Sequence, residues 1–152
     1  MAYWELRRRV GPLYAVRQPH VDVFSELVLG SGLCLAQLQS QTVNPGVRRA
    51  RRKIGAGLVL SREPPDSAVW VYNRSRYPIF VGRCRSAGVS TVDRVPPGSC
   101  LRVTDPAAEE DWPTDGPRSV QVSFGKGFGT DGYSRRTVHA CPCWIEILLR
   151  VT

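Results

Sequence analysis

Apolar residues in this chain come in short runs, with prolines and glycines spread through the segments between them. The longest unbroken run is AVWVY at 68–72, preceded by Glu63-Pro64-Pro65-Asp66. Val89–Val95 and Cys100–Val103 are separated by Pro96-Pro97-Gly98, a strong turn signal. Pro64 and Pro65 cannot continue a sheet ladder. Strand-length runs with turns every ~8–12 residues are the pattern of two packed antiparallel sheets. The chain is therefore predicted to be mainly β, an antiparallel sandwich of about nine or ten short strands. Its 152 residues suit one well-packed domain. Ala2–Leu6 and Leu13–Val16 read as strands joined by an arginine-rich turn. Leu33–Leu38 is apolar on both faces and reads as a central strand. Leu58–Leu60, Val69–Tyr72, Tyr77–Val81, Val120–Phe124 and Cys143–Leu149 complete the set. Trp4, Trp70 and Trp144 are expected in the core, as are Cys34, Cys100 and Cys143, since a thiol in an apolar run acts as a small hydrophobe.

Helices have little room in this pattern. Asn44-Pro45 is the firm start: Asn44 can cap and Pro45 fits the first turn. The helix should run to about Ile54 and stop at Gly55. Val47, Ala50 and Ile54 share one face. Arg48 with Arg52, and Arg49 with Lys53, form exposed pairs four residues apart, each mildly destabilising at about 0.2–0.5 kcal/mol. Arg51 lies at the apolar border. Asp105-Pro106 opens a weaker helix to about Asp111, within the only acidic stretch, residues 105–118.

Between the last two strands lies GKGFGTDGYSRRTVHACP. Its glycines admit backbone angles closed to other residues. Lys126, Arg135 and Arg136 give it a positive edge. It reads either as a recognition loop on a rigid scaffold or as a solvated connection.

The formal charge is +8, and all but Lys53 and Lys126 of the 21 basic residues are arginine. Arginine suits bidentate binding of carboxylate or phosphate, so the partner is anionic: a nucleic acid, a phosphorylated or acidic protein face, or a membrane surface. Five cysteines, an odd number, and no recognisable leader point to a reducing compartment. No apolar run approaches a membrane span. Catalytic signatures are missing. His20 and His139 stand alone, Cys141 and Cys143 lack the other ligands of a structural zinc site, and the GKGFG run does not end as a phosphate-binding loop does. The expectation is a non-enzyme with no metal and no cofactor.

Several segments together resemble a known family. They are AYWE at 2–5, GPLYAV at 11–16, GSGLCLAQL at 30–38, RRKIGAGLVLSREP at 51–64, VWVYNR at 69–74, YPIFV at 77–81, VPPG at 95–98, VSFGKGFG at 122–129 and CPCWIEILL at 141–149. Nearly the whole chain is similar to the C-terminal Mad-homology domain of SMAD proteins, above all the inhibitory branch that antagonises TGF-beta and BMP signalling.

That resemblance implies a β-sandwich of the SMAD/FHA type with a loop-helix region and a reduced helical bundle. It treats residues 1–152 as a single such domain, truncated before the usual final helix, and argues against a stable homotrimer. It implies binding to activated type I receptor kinases in competition with receptor-activated SMADs. Receptor-activated or common-partner SMADs, ubiquitin ligases and nuclear corepressors are further implied partners, and a nuclear corepressor module is the alternative role. Direct DNA binding is not implied, nor membrane insertion. Localisation would be cytoplasm and nucleus. The family's basic groove falls on Arg49 and Lys53 of the helix and Lys126 and Arg135 of the loop. Arg48, Arg52 and Arg136 extend the patch, and Gly127, Phe128 and Gly129 shape the loop. Family members carry KGWG here. Phe128 would keep an aromatic surface without the indole N–H, and Asp131 would put a negative charge in the positive site.

Overall fold

The computed structural model describes residues 1–26, 31–65, 67–85, 88–104, 118–129 and 132–149. Among the described residues, eleven strands form a six-stranded sheet, ordered β2-β1-β11-β10-β7-β8, and a five-stranded sheet, ordered β4-β3-β5-β6-β9. The first holds β1 (Ala2–Glu5), β2 (Arg8–Val10), β7 (Ile79–Arg85), β8 (Gly88–Val95), β10 (Arg118–Phe124) and β11 (Trp144–Leu149). The second holds β3 (His20–Phe24), β4 (Gly32–Cys34), β5 (Leu58–Glu63), β6 (Ala68–Asn73) and β9 (Cys100–Arg102). All pairings are antiparallel except β3 with β4. This is the sandwich expected from the turn spacing.

Directly opposed residues of paired strands share a sheet face, so the register identifies the core. Val10, Tyr3, Ile145, Val122 and Val81 stand in one cross-sheet row. Val21, Leu60, Val71 and Leu101 form its counterpart in the other sheet. Both rows belong to one hydrophobic cluster between the sheets.

Helix α1 (Pro45–Lys53) forms where expected. The Asn44 carboxamide accepts from the backbone N–H groups of Gly46 (2.9 Å) and Val47 (3.2 Å). Gly55 ends it with φ +57°. Val47 and Ile54 are buried and Ala50 packs beside them. Arg51 is the basic residue of this helix that turns inward. Its guanidinium lies 3.5 Å from the buried Glu5 carboxylate and donates to the carbonyls of Leu35 and Leu38. Glu5 also accepts from the Tyr3 hydroxyl at 2.7 Å and from the Ser40 hydroxyl.

Four local expectations are corrected. The arginine-rich turn is itself part of β2, whereas Leu13–Val16 is irregular and touches β1 through the Tyr14 N–H bond to the Met1 carbonyl at 2.8 Å. Leu33–Leu38 is no central strand: β4 is an edge strand, and Leu35–Gln37 closes into a 3-10 turn. Trp144 is buried, but Trp4 and Trp70 are half-exposed. Cys34 is half-buried and Cys100 is exposed. The doubtful helix at 105–111, the acidic stretch and any reduced helical bundle built from it, and Asp131 lie outside the described residues.

Removing Arg51 leaves Glu5 buried without its cation and takes one donor from the Leu35 and Leu38 carbonyls, of which Leu35 keeps the Leu38 N–H at 3.1 Å. Loss of one partner of a buried pair costs about 3–5 kcal/mol. Arg51→Ala should lower unfolding stability by that order in urea denaturation, while Arg52→Ala, on the exposed face, should change it by less than about 0.5 kcal/mol.

Candidate functional site: a basic helix face beside a glycine loop

The helix and the loop after β10 meet at one end of the sandwich. Arg48, Arg49, Arg52 and Lys53 are exposed on α1; Lys126 is exposed, Arg135 half-buried and Arg136 exposed on the loop. Tyr77, a strand residue by its sequence pattern, joins the two halves. The Lys53 ammonium sits 5.5 Å from the centre of its ring, within cation–π range. The Gly125 N–H donates to the neighbouring Pro78 carbonyl at 2.9 Å. Lys53 and the start of the loop therefore flank one exposed tyrosine.

Tyr77 is held by a buried asparagine. Asn73 is 0% exposed. Its amide donates to the carbonyls of Tyr77 (2.8 Å) and Val95 (3.0 Å), and its oxygen accepts from the Ser75 N–H (2.9 Å) and hydroxyl (2.7 Å). A buried amide with its hydrogen-bonding groups satisfied fixes a turn firmly. The YNR motif thus earns its place through the turn that presents Tyr77.

The loop lies on its own small core. Register puts Arg9, Trp4, Trp144, Ser123, Phe80 and Arg94 in one row on the outer face of the six-stranded sheet. Phe128, Val138 and Cys141 pack with Phe80 and Trp144 in a second hydrophobic cluster. Phe128 is 1% exposed, so the expected aromatic surface is corrected: this ring anchors the loop from beneath. The exposed loop aromatic is Tyr133, edge-on to Phe80 at 5.5 Å. Tyr133 covers Gly127 so closely that a Cβ there would lie 2.3 Å from its ring. The Gly129 N–H closes the loop on the Arg135 carbonyl at 2.9 Å.

Two cysteines tie this assembly together. The Cys141 thiol reaches the Lys126 carbonyl (3.7 Å) and the Cys143 thiol the Val47 carbonyl of α1 (3.8 Å). Burial pushes the Cys143 thiol up to about 12. Burial also raises Cys141, a rise that nearby Ser123 and the Arg135 guanidinium partly oppose. Both are protonated and structural at neutral pH. Among the described residues, no group of three or more His, Cys, Asp or Glu is placed to hold a metal ion.

The structure thus joins Lys53 to the loop and sets Arg135 near Cys141 on the loop's far limb. Arg48 instead donates to the Thr42 carbonyl at 3.3 Å, and Arg49 folds back toward Gly46 on its own helix. Tyr77 and Tyr133 are the site residues that sequence reasoning missed. An aromatic ring stranded among Gly, Ser and Arg was a usable signal for Tyr133, whereas nothing local marked Tyr77.

A family model for the MH2 domain matches residues 1–150. The chain belongs to the MH2 domain family. This MH2 domain is 44% identical to Mothers against decapentaplegic homolog 6 of Gallus gallus over 167 aligned residues, covering 98% of the chain and 37% of that relative. It is 38% identical to homolog 7 of Homo sapiens, covering 97% of the chain and 37% of the relative. Both matches are to the inhibitory SMADs, as the motifs indicated. The chain spans little more than a third of the length of these curated relatives. Among solved structures it is similar to the IAD domain of interferon regulatory factor 9, with TM-score 0.62 and 11% identity over 95% of this chain and 78% of that one, a likeness of fold alone.

Two outcomes follow from the site's geometry. Gly127→Ala should push the Tyr133 ring off Phe80, seen as a change in the tyrosine ring resonances, at a stability cost on the order of 1 kcal/mol; adding Tyr133→Ala should relieve that cost. Alkylation of the native protein at pH 8 should modify Cys100 and spare Cys141 and Cys143 until denaturant is added, read by peptide mass.

Proposed function

We propose that this MH2 domain is a non-catalytic signalling adaptor that antagonises TGF-beta/BMP signalling. Its basic helix face and loop would hold a phosphorylated segment of an activated type I receptor kinase and so exclude receptor-activated SMADs. A phosphorylated Ser or Thr carries about 1.5–2 negative charges at neutral pH and accepts charge-assisted hydrogen bonds. The carrying observation is the junction at Tyr77, where Lys53 and the loop bearing Lys126 come to one place. A merely solvated loop would not need the second core and the Cys141 thiol contact that hold it. Arg49, Lys53, Lys126 and Arg135 are assigned as the contact set, with Arg48, Arg52 and Arg136 widening the field. Partners beyond the receptor in this reading are other SMADs, ubiquitin ligases and nuclear corepressors, and the protein works in cytoplasm and nucleus. No described helix is long and apolar enough to cross a membrane.

Titration calorimetry against a type I receptor cytoplasmic domain, with and without phosphorylation of its regulatory segment, tests the reading. Micromolar or tighter binding to the phosphorylated form is expected. Arg49→Glu with Lys53→Glu should weaken it at least tenfold, with folding unchanged by circular dichroism. Failure of the folded protein to bind either form sinks the receptor reading.

A further inference from the structure

Exposed positive charge on the six-stranded sheet continues past the loop to its β2 edge. Arg7, Arg8 and Arg9 are all exposed. Among the described residues none of them has a carboxylate within ion-pair reach; the ion pairs are Arg51 with Glu5, Arg74 with Asp22 and Arg83 with Asp93.

This hairpin shares an anchor with the loop. The Leu6 N–H donates to the Cys141 carbonyl at 3.2 Å, and the Leu6 carbonyl accepts from Trp144 Nε1 at 2.8 Å. The thiol of that same Cys141 holds the Lys126 carbonyl. Arg9 stands opposite Trp4, and Trp4 opposite Trp144, so Arg9 belongs to the sheet face that the loop covers. The exposed His139 lies edge-on to both tryptophans, at 6.5 and 5.3 Å between ring centres. Four strand spacings, about 19 Å, separate β2 from β7, which begins two residues after Tyr77. That is about six residues of extended peptide.

A charged edge strand discourages sheet-to-sheet aggregation. One charge meets that need, and three unpaired arginines beside a second basic site exceed it. We infer that the Arg7–Arg9 hairpin is a second anchoring point for the ligand of the helix-loop site, and that this ligand is an extended polypeptide with anionic groups about six residues apart. A phosphate sits at the helix-loop site and a further phosphate or carboxylate at the hairpin. Polypeptide is favoured over nucleic acid because β2 is the terminal strand of its sheet, where an extended backbone can pair alongside. The inference rests on the phosphoprotein reading above.

Fluorescence anisotropy on the whole chain tests it with three labelled peptides. One carries a single phosphoserine; the other two add a second phosphoserine about six residues before or after it. One doubly phosphorylated peptide should bind about tenfold tighter than the single one, as linked contacts do, with a steeper salt dependence. Arg7→Glu with Arg9→Glu, and the milder Arg7→Gln with Arg9→Gln, should erase that gain and leave the singly phosphorylated peptide within about twofold. Both variants keep Arg8, and thermal melts report whether they fold. If the second phosphate adds nothing, or a folded variant weakens both peptide classes equally, the hairpin is not an anchor, while the helix-loop reading survives. If no peptide binds the unaltered chain, both readings fall. Duplex DNA competing as well as the doubly phosphorylated peptide overturns the polypeptide assignment.

Discussion

A single buried carboxylate decides how the helix is worn. Glu5 is 4% exposed, and burying its charge costs several kcal/mol unless it is paired and hydrogen-bonded. Tyr3, Ser40 and Arg51 supply those partners. Arg51 at once satisfies the Leu35 and Leu38 carbonyls, where the chain leaves β4 for a 3-10 turn. One guanidinium therefore joins β1, the 35–38 turn and α1. Because Arg51 faces in, Arg48, Arg49, Arg52 and Lys53 face out. The helix has no acidic residue in its first turn and three basic residues in its last. The C-terminal cations are favoured by the helix dipole, whereas Arg48 and Arg49 gain nothing from it. The exposed charge is held against mutual repulsion by packing, not by helix propensity.

The loop is held by separate means. Most of the sandwich core lies between the sheets, but Phe80, Phe128, Val138, Cys141 and Trp144 make a second cluster on the outer face of one of them. A sheet face that would otherwise be solvated is apolar here because a loop must be seated on it. Trp4 stacks on Trp144 at 5.1 Å with a 10° interplanar angle, extending that seat toward β2. The loop's polar residues can then point outward from a fixed base.

Much of this architecture was legible in the residues. The Asn44-Pro45 cap, the Gly55 stop, the strands on either side of the basic loop and the loop itself all carry local signals, and the structure has them. The losses were tertiary. Arg8-Arg9-Val10 has one apolar residue and no alternation to read, so its strand pairing with Trp4 and Glu5 was invisible. Leu33–Leu38 carried strand-like apolar residues on both faces, yet Leu35 is buried by a 3-10 turn whose carbonyls find Arg51. Phe128 looked exposed because its neighbours are Gly and Lys, and only the fold supplies the cluster that covers it. Tyr77 joins α1 to the loop across residues distant in sequence, and no spacing rule reaches that far.

The bend at Cys141-Pro142-Cys143 shows why both halves of the site stay in register. In a regular strand, residues two apart face the same way. Here β11 begins only at Trp144, and the bend before it sends Cys141 into the outer cluster and Cys143 into the main core. One thiol meets the loop and the other the helix. Each contact is weak alone, since thiols are poor donors. Their effect is geometric: a proline-stiffened tripeptide sets the distance between two charged surfaces that would otherwise repel and drift apart. A ligand that meets both surfaces already arranged loses less conformational freedom on binding. Affinity then depends on how well its own charges match a fixed spacing.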